Sequence, residues 1–75
     1  MDIKSFIKSF GEAIEVEDIE ALTAETEFHD LDEWSSISVI MLIAFFDEQF
    51  DKQIDNITIR QAQTIQDLYD LANAE

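Results

Sequence analysis

The chain has no cysteine and no proline, a single glycine and a single histidine. Without cysteine no disulfide can staple the fold, and one histidine cannot build a zinc site, which needs three or four nitrogen or sulfur ligands. Both devices that commonly stabilise small domains are excluded. One glycine in 75 residues leaves little material for tight hairpin turns, which directs the fold towards helices. Basic residues are scarce too: four Lys and Arg stand against eighteen Asp and Glu, a net charge of -14. That field repels nucleic acid and attracts partners with Lys- or Arg-rich patches, although a merely solubilising surface needs the same charges. No signal peptide is visible and no apolar run approaches the ~20 residues of a membrane span, so the expectation is a soluble, cytoplasmic monomer. A chain of this length forms one domain, 1–75, and buries only about 60% of the surface its unfolded form exposes.

What is present is spaced for helices. Ile3, Phe6, Ile7, Phe10 and Ile14 repeat at i, i+3, i+4, i+7 and i+11, which predicts an amphipathic helix with Asp2 as its N-cap. Gly11 lies late in that pattern and costs roughly 1 kcal/mol relative to alanine, so the helix is expected to fray or end near it. From Glu15 to Ser35 the apolar residues Val16, Ile19, Leu22, Phe28, Leu31 and Trp34 follow no sustained period. This reads as a long connection pinned by its own side chains, with room for a short helical turn around Asp18 to Leu22. A second helix is expected from about Ser36 to Phe50. Two hydroxyl-led patterns, Thr58 to Gln61 and Thr64 to Asp67, then suggest a short helix starting near Thr58 and a last helix from Thr64 to about Asn73. The last helix should bury Ile65, Leu68, Tyr69 and Ala72.

Familiar catalytic constellations are missing. There is no glycine-rich phosphate loop, and a serine hydrolase would require His29 beside Ser35 or Ser36 with an oxyanion hole that no motif announces. His29 reads as a surface residue of the long loop. Asp30-x-Asp32-x-Trp34-Ser35 resembles the start of a calcium loop, but Ser35 stands at the glycine position and Met41 at that of the final glutamate. No metal site is predicted, and divalent cations are expected only as loosely held counterions.

The second helix is apolar nearly all round. Val39, Leu42, Ile43, Phe46 and Phe50 form one stripe; Ile37, Met41, Ala44, Phe45 and Glu48 form another. Such a helix is either enclosed on every side or meets a partner along one stripe, and so short a chain has few helices for enclosure. At the helix start, a serine hydroxyl can accept from an orphan backbone N–H, and the same end favours an attached anion. A phosphodiester on Ser36 would be well placed.

Phe28, Leu31, Ser35-Ser36-Ile37, the closing Asp47-Glu48-Gln49-Phe50, Ile54 and a threonine-led last helix together resemble the acyl carrier proteins along essentially the whole chain. The resemblance implies an all-α fold, a small four-helix bundle with a long first loop and a short third helix. It implies a carrier that is not itself an enzyme and has no catalytic residue, with a phosphopantetheine arm from coenzyme A on Ser36 holding acyl groups as thioesters. Ser35 takes the place of the family's aspartate and Ile37 that of its leucine. A partner face would comprise Ser35, Ile37, Ser38, Met41, Ala44, Phe45, Asp47 and Glu48. Leu42, Ile43, Phe46, Ile54, Ile57, Ile59, Ile65 and Leu68 would line a space for the acyl chain, kept small by Phe45 and Phe46.

The implied partners are a phosphopantetheinyl transferase and acyl ligases, synthases or acyltransferases with basic docking patches. Ser35, Ser38 and Met41 stand where carriers of fatty acid biosynthesis have acids, and Trp34 precedes the serines as in dedicated carriers. These departures point to a specialised pathway, in secondary metabolite or glycoconjugate synthesis, rather than housekeeping lipid metabolism. Two alternatives share the sequence: an aminoacyl or peptidyl carrier, and an acidic protein-interaction module of the same fold whose Ser36 stays unmodified.

Overall fold

A computed structural model, which describes residues 2–73, contains four helices: α1 (Ile3–Ala13), α2 (Ser36–Phe50), α3 (Asn56–Gln61) and α4 (Ile65–Asn73). No strand occurs among the described residues, so the all-α expectation holds, and no helix there is long and apolar enough to cross a membrane.

Asp2 caps α1 as expected, its carboxylate accepting from the Ser5 N–H at 2.8 Å. Of the two outcomes expected at Gly11, the helix does end near it and does not fray. The helix runs two residues beyond Gly11 and closes in a Schellman turn: the Val16 N–H donates to Gly11 O at 2.8 Å, the Glu15 N–H to Glu12 O at 3.3 Å, and Glu15 is left-handed with φ 60. Gly11 itself is buried, with Ile19 and Leu22 packed over it. The glycine permits a close approach of chain to helix.

The long connection carries two 3₁₀ turns, Ile19–Ala21 at the place foreseen for a helical turn and Phe28–Asp30, which was not foreseen. Its carbonyls hold the start of α4: the Ile65 N–H donates to Thr26 O at 3.1 Å and the Gln66 N–H to Ala24 O at 2.9 Å. Asp67 accepts from the Gln63 and Thr64 N–H groups, while Thr64 Oγ1 accepts from the Asp67 N–H at 3.2 Å. The first-turn donors of α4 that a helix leaves unpaired thus all find acceptors, and the expected acidic capping box at Thr64 is formed. A loop whose backbone is bonded in this way has a structural reason for its length.

α3 begins earlier than expected. Asp55, not Thr58, is its N-cap, accepting from the Thr58 N–H at 2.8 Å and the Thr58 hydroxyl at 2.7 Å. A carboxylate three residues ahead offers a charged acceptor, so Thr58 becomes the third residue of the helix. Asp2, Asp55 and Asp67 all have their carboxyls held below the usual value of 3.8 by these caps, principally the Ser5 backbone, the Thr58 hydroxyl and the Gln63 backbone respectively.

All six phenylalanines cluster, and Phe6, Phe10, Phe28, Phe46, Leu42, Ile59, Ile65 and Leu68 are sealed from solvent. Phe6 of α1 sits at the hub, with ring centroids 5.8 Å from Phe45, 6.3 Å from Phe46, 5.8 Å from Phe50 and 5.4 Å from Tyr69. Edge-to-face rings at such spacings add to the hydrophobic term and fix how α1, α2 and α4 meet.

Candidate functional site

The start of α2 is built by three serines with different surroundings. Ser35 is the extended N-cap, and its N–H donates to Ser38 Oγ at 3.1 Å in a capping box. Ser38 in turn donates from Oγ to Glu33 O at 3.1 Å and is only 3% exposed. These bonds hold Glu33, Ser35 and the first turn of α2 together. Ser36, the first helical residue, is exposed and takes no part in that cap network.

Burial corrects two members of the expected partner face. Ser38 is withdrawn into the cap, and Phe45 is 7% exposed because Phe6 packs its edge from α1. Ser35, Ile37, Ala44, Asp47 and Glu48 are exposed and Met41 is half-buried. Ile40, which the two-stripe reading omitted, is 67% exposed and continues the apolar line of Ile37, itself 61% exposed. Val39 and Ile43, assigned to the core stripe, are only half-buried. The cause is the length of α3: a helix of six residues covers only part of a fifteen-residue neighbour.

The uncovered side of α2 forms a groove that opens beside Ser36. Trp34, Val39, Ile40 and Ile43 supply its apolar wall; Ser35, Ser36, His29, Asn56 and Arg60 supply its polar atoms. A second depression lined by Ala44, Asp47, Gln53 and Ile54 shares Ile40 and Ile43 with it. Together they form a trench along α2 of roughly 15 Å, judged from the rise of the helix.

The expected acyl-lining residues divide accordingly. Ile43 and Ile54 line this trench. Leu42, Phe46, Ile59, Ile65 and Leu68 are instead part of the filled core, and Ile57 stands on the surface at 66% exposure. The periodicity of α2 marks Leu42 and Phe46 as inward, but it cannot show whether the interior they face is hollow or filled by Phe6, Phe10 and Phe28.

His29 is also corrected. It is half-buried, with its ring 4.2 Å from Phe28 and 5.2 Å from Trp34, and Nε2 lies 3.2 Å from Ile59 O and 3.0 Å from Ala62 O. Carbonyls only accept, so Nε2 carries the hydrogen. That nitrogen is therefore no general base for a serine. His29 fastens the loop wall of the groove to the end of α3. No sequence signal exists for such a role, because its partners are backbone carbonyls thirty and thirty-three residues away. Among the described residues no three His, Asp or Glu side chains gather as a metal site.

A scan against protein-family models and a search of curated proteins return no match to this chain.

Proposed function

We propose that this chain is a cytoplasmic acyl carrier protein of a specialised biosynthetic pathway, with Ser36 as the phosphopantetheine attachment site and a four-helix bundle of the acyl-carrier type. The observation that carries this reading is the contrast among the serines at the start of α2: Ser38 is buried in the cap and Ser35 is tied to it through its N–H and, at 3.4 Å, its hydroxyl, whereas Ser36 takes no part in the cap and is exposed at the mouth of an apolar-walled groove.

The residues present fit the group. A phosphodiester linkage needs an accessible primary hydroxyl, and Ser36 offers one on a backbone fixed by the cap. When bound, the arm supplies the thiol that carries acyl groups as thioesters. Ser36 contributes only its oxygen; the base and magnesium for attachment belong to the transferase, so no activating partner is needed on this chain. Val39, Ile40, Ile43 and Trp34 give apolar surface beside the attachment point, and Ile54 extends it. Because the interior is filled, cargo lies along this trench and short cargo is favoured, an aminoacyl group included. Ile37, Ile40 and Ala44, with Asp47 and Glu48 further along α2, offer an apolar face with an acidic end to an enzyme with a basic docking patch.

The test is the intact mass after incubation with coenzyme A and a broad-specificity phosphopantetheinyl transferase. A phosphopantetheine adduct that is lost in Ser36→Ala and retained in Ser35→Ala is expected. Absence of an adduct with every transferase tried, including one from the same genome, would overturn the reading in favour of an unmodified interaction module.

A further inference from the structure

Arg60 lines the same groove as Ser36, and so does Asn56 one helical turn earlier on α3. Residues four apart share a helix face, so the amide and the guanidinium act on one region of space. Arg60 is one of only four basic residues in the chain. Lys4 and Lys8 line a different groove with Ile7, Ile19 and Leu22. Lys52 follows the far end of α2, about 20 Å from Ser36 by the rise of the helix. Arg60 is exposed, and among the described residues no carboxylate lies within ion-pair distance of it. Among the described residues Arg60 is thus a cation for which the fold supplies no counterion, in a chain that has eighteen acids.

We propose that Arg60, assisted by Asn56, binds the phosphodiester that joins Ser36 to its arm; this rests on the carrier reading above. A phosphodiester is an anion at neutral pH, and a surface of net charge -14 disfavours it unless a cation is close. The guanidinium offers paired N–H donors that match phosphate oxygens, and the Asn56 amide adds donors from the same face. Binding there links α3 to the start of α2 across the end of the groove that holds Ser36. It also shields the new charge from the acids of the loop before α2, Asp30, Asp32 and Glu33.

The assignment is tested on isotope-labelled protein loaded at Ser36 with coenzyme A and a transferase, compared with the unloaded protein. Loading is expected to move the Arg60 side-chain Nε–H resonance and the backbone amides of residues 56–60. It should raise the melting temperature at low salt, and most of that gain should disappear in Arg60→Gln while persisting in Lys52→Gln. Added sodium chloride should shrink the gain in the wild type, as screening requires. An Arg60 resonance that stays in place on a fully loaded sample overturns the assignment and leaves the carrier reading standing. Failure to form any adduct, seen by mass, overturns both.

Discussion

A methyl group on Gly11 would lie 2.7 Å from Ile19 Cγ1 and 3.2 Å from Leu22 Cδ1, so α1 and the 3₁₀ turn after it are packed through a glycine. Helix propensity alone says that Gly11→Ala stabilises by roughly 1 kcal/mol. Overpacking costs about 1 to 3 kcal/mol, and Ile19 Cγ1 is near the stem of a β-branched side chain that cannot swing aside freely. The packing term wins. Urea denaturation of Gly11→Ala should show a lower midpoint than wild type; a higher one would mean that the turn at Ile19–Ala21 yields easily.

The opposite backbone logic applies at the end of the same helix. Glu15 holds φ 60 without being glycine, and it brings a negative charge to the negative end of the α1 dipole. Glu15→Gly relieves the left-handed strain, removes that repulsion and lowers the excess negative charge, against the added entropy of glycine in the unfolded chain. A net gain of roughly 0.5 to 1 kcal/mol is expected by chemical denaturation. Asp51, at φ 53 after α2, should respond to Asp51→Gly in the same direction.

The first of these sites shows where sequence reasoning stops. Helix existence was legible because Ile3 to Ile14 repeat at helical spacing, and α2 was legible to its boundaries because Ser35 can cap and Phe50 ends the apolar pattern. Gly11 lies close to where α1 ends, as expected, but its second physical meaning, the close approach of another segment, depends on the position of Ile19 and leaves no sign in the periodicity. Phe45 was misread for a related reason. A helix that is apolar all round gives no phase, so whether Phe45 or Val39 faces inward depends on Phe6, which lies in another element. His29 was beyond reach altogether, since backbone carbonyls leave no mark on composition.

The three serines of α2 make separable predictions. Ser38→Ala removes the acceptor of the Ser35 N–H and the donor to Glu33 O in a buried setting, at a cost of about 1 to 2 kcal/mol. Ser36→Ala should leave stability within roughly 0.5 kcal/mol of wild type, as exposed sites without such bonds do. Thermal melts and intact-mass measurements on the two variants should therefore dissociate: Ser38→Ala melts lower yet is modified, and Ser36→Ala melts normally and is not. A strongly destabilised Ser36→Ala would show that its hydroxyl is structural.

Acid should remove the helix caps in a defined order of sign. Asp2, Asp55 and Asp67 have folded-state values lowered from 3.8 by the N–H and O–H donors they accept. A lowered folded value means a stabilising contribution fully present above the unfolded value and lost as pH falls through the folded one. Carbon-detected titration should find these three carboxyls with midpoints below 3.8. The stability difference between wild type and Asp67→Asn should be constant at neutral pH and close only in that acidic range. Midpoints at or above 3.8 would mean that the caps at Ser5, Thr58 and Gln63 do not form.

His29 joins the groove wall to α3 by two bonds to carbonyls and by ring contacts with Phe28 and Trp34, so its removal should act at a distance from its own backbone. His29→Ala loses the ring packing and leaves Ile59 O and Ala62 O without this donor, a cost of about 2 kcal/mol. The local consequence is more diagnostic than the total. Amides at the end of α3, Ala62 above all, should exchange faster relative to those of α1, because α1 is held by the phenylalanine core and not by His29. Ser36 keeps its exposed position and its cap in that variant, since neither Ser35 nor Ser38 bonds to the imidazole. Loading of Ser36 should accordingly survive in His29→Ala, while the stabilisation gained on loading falls with the loosened α3 that carries Asn56 and Arg60. Uniformly faster exchange in α1 and α3 alike would instead make His29 a residue of the global core.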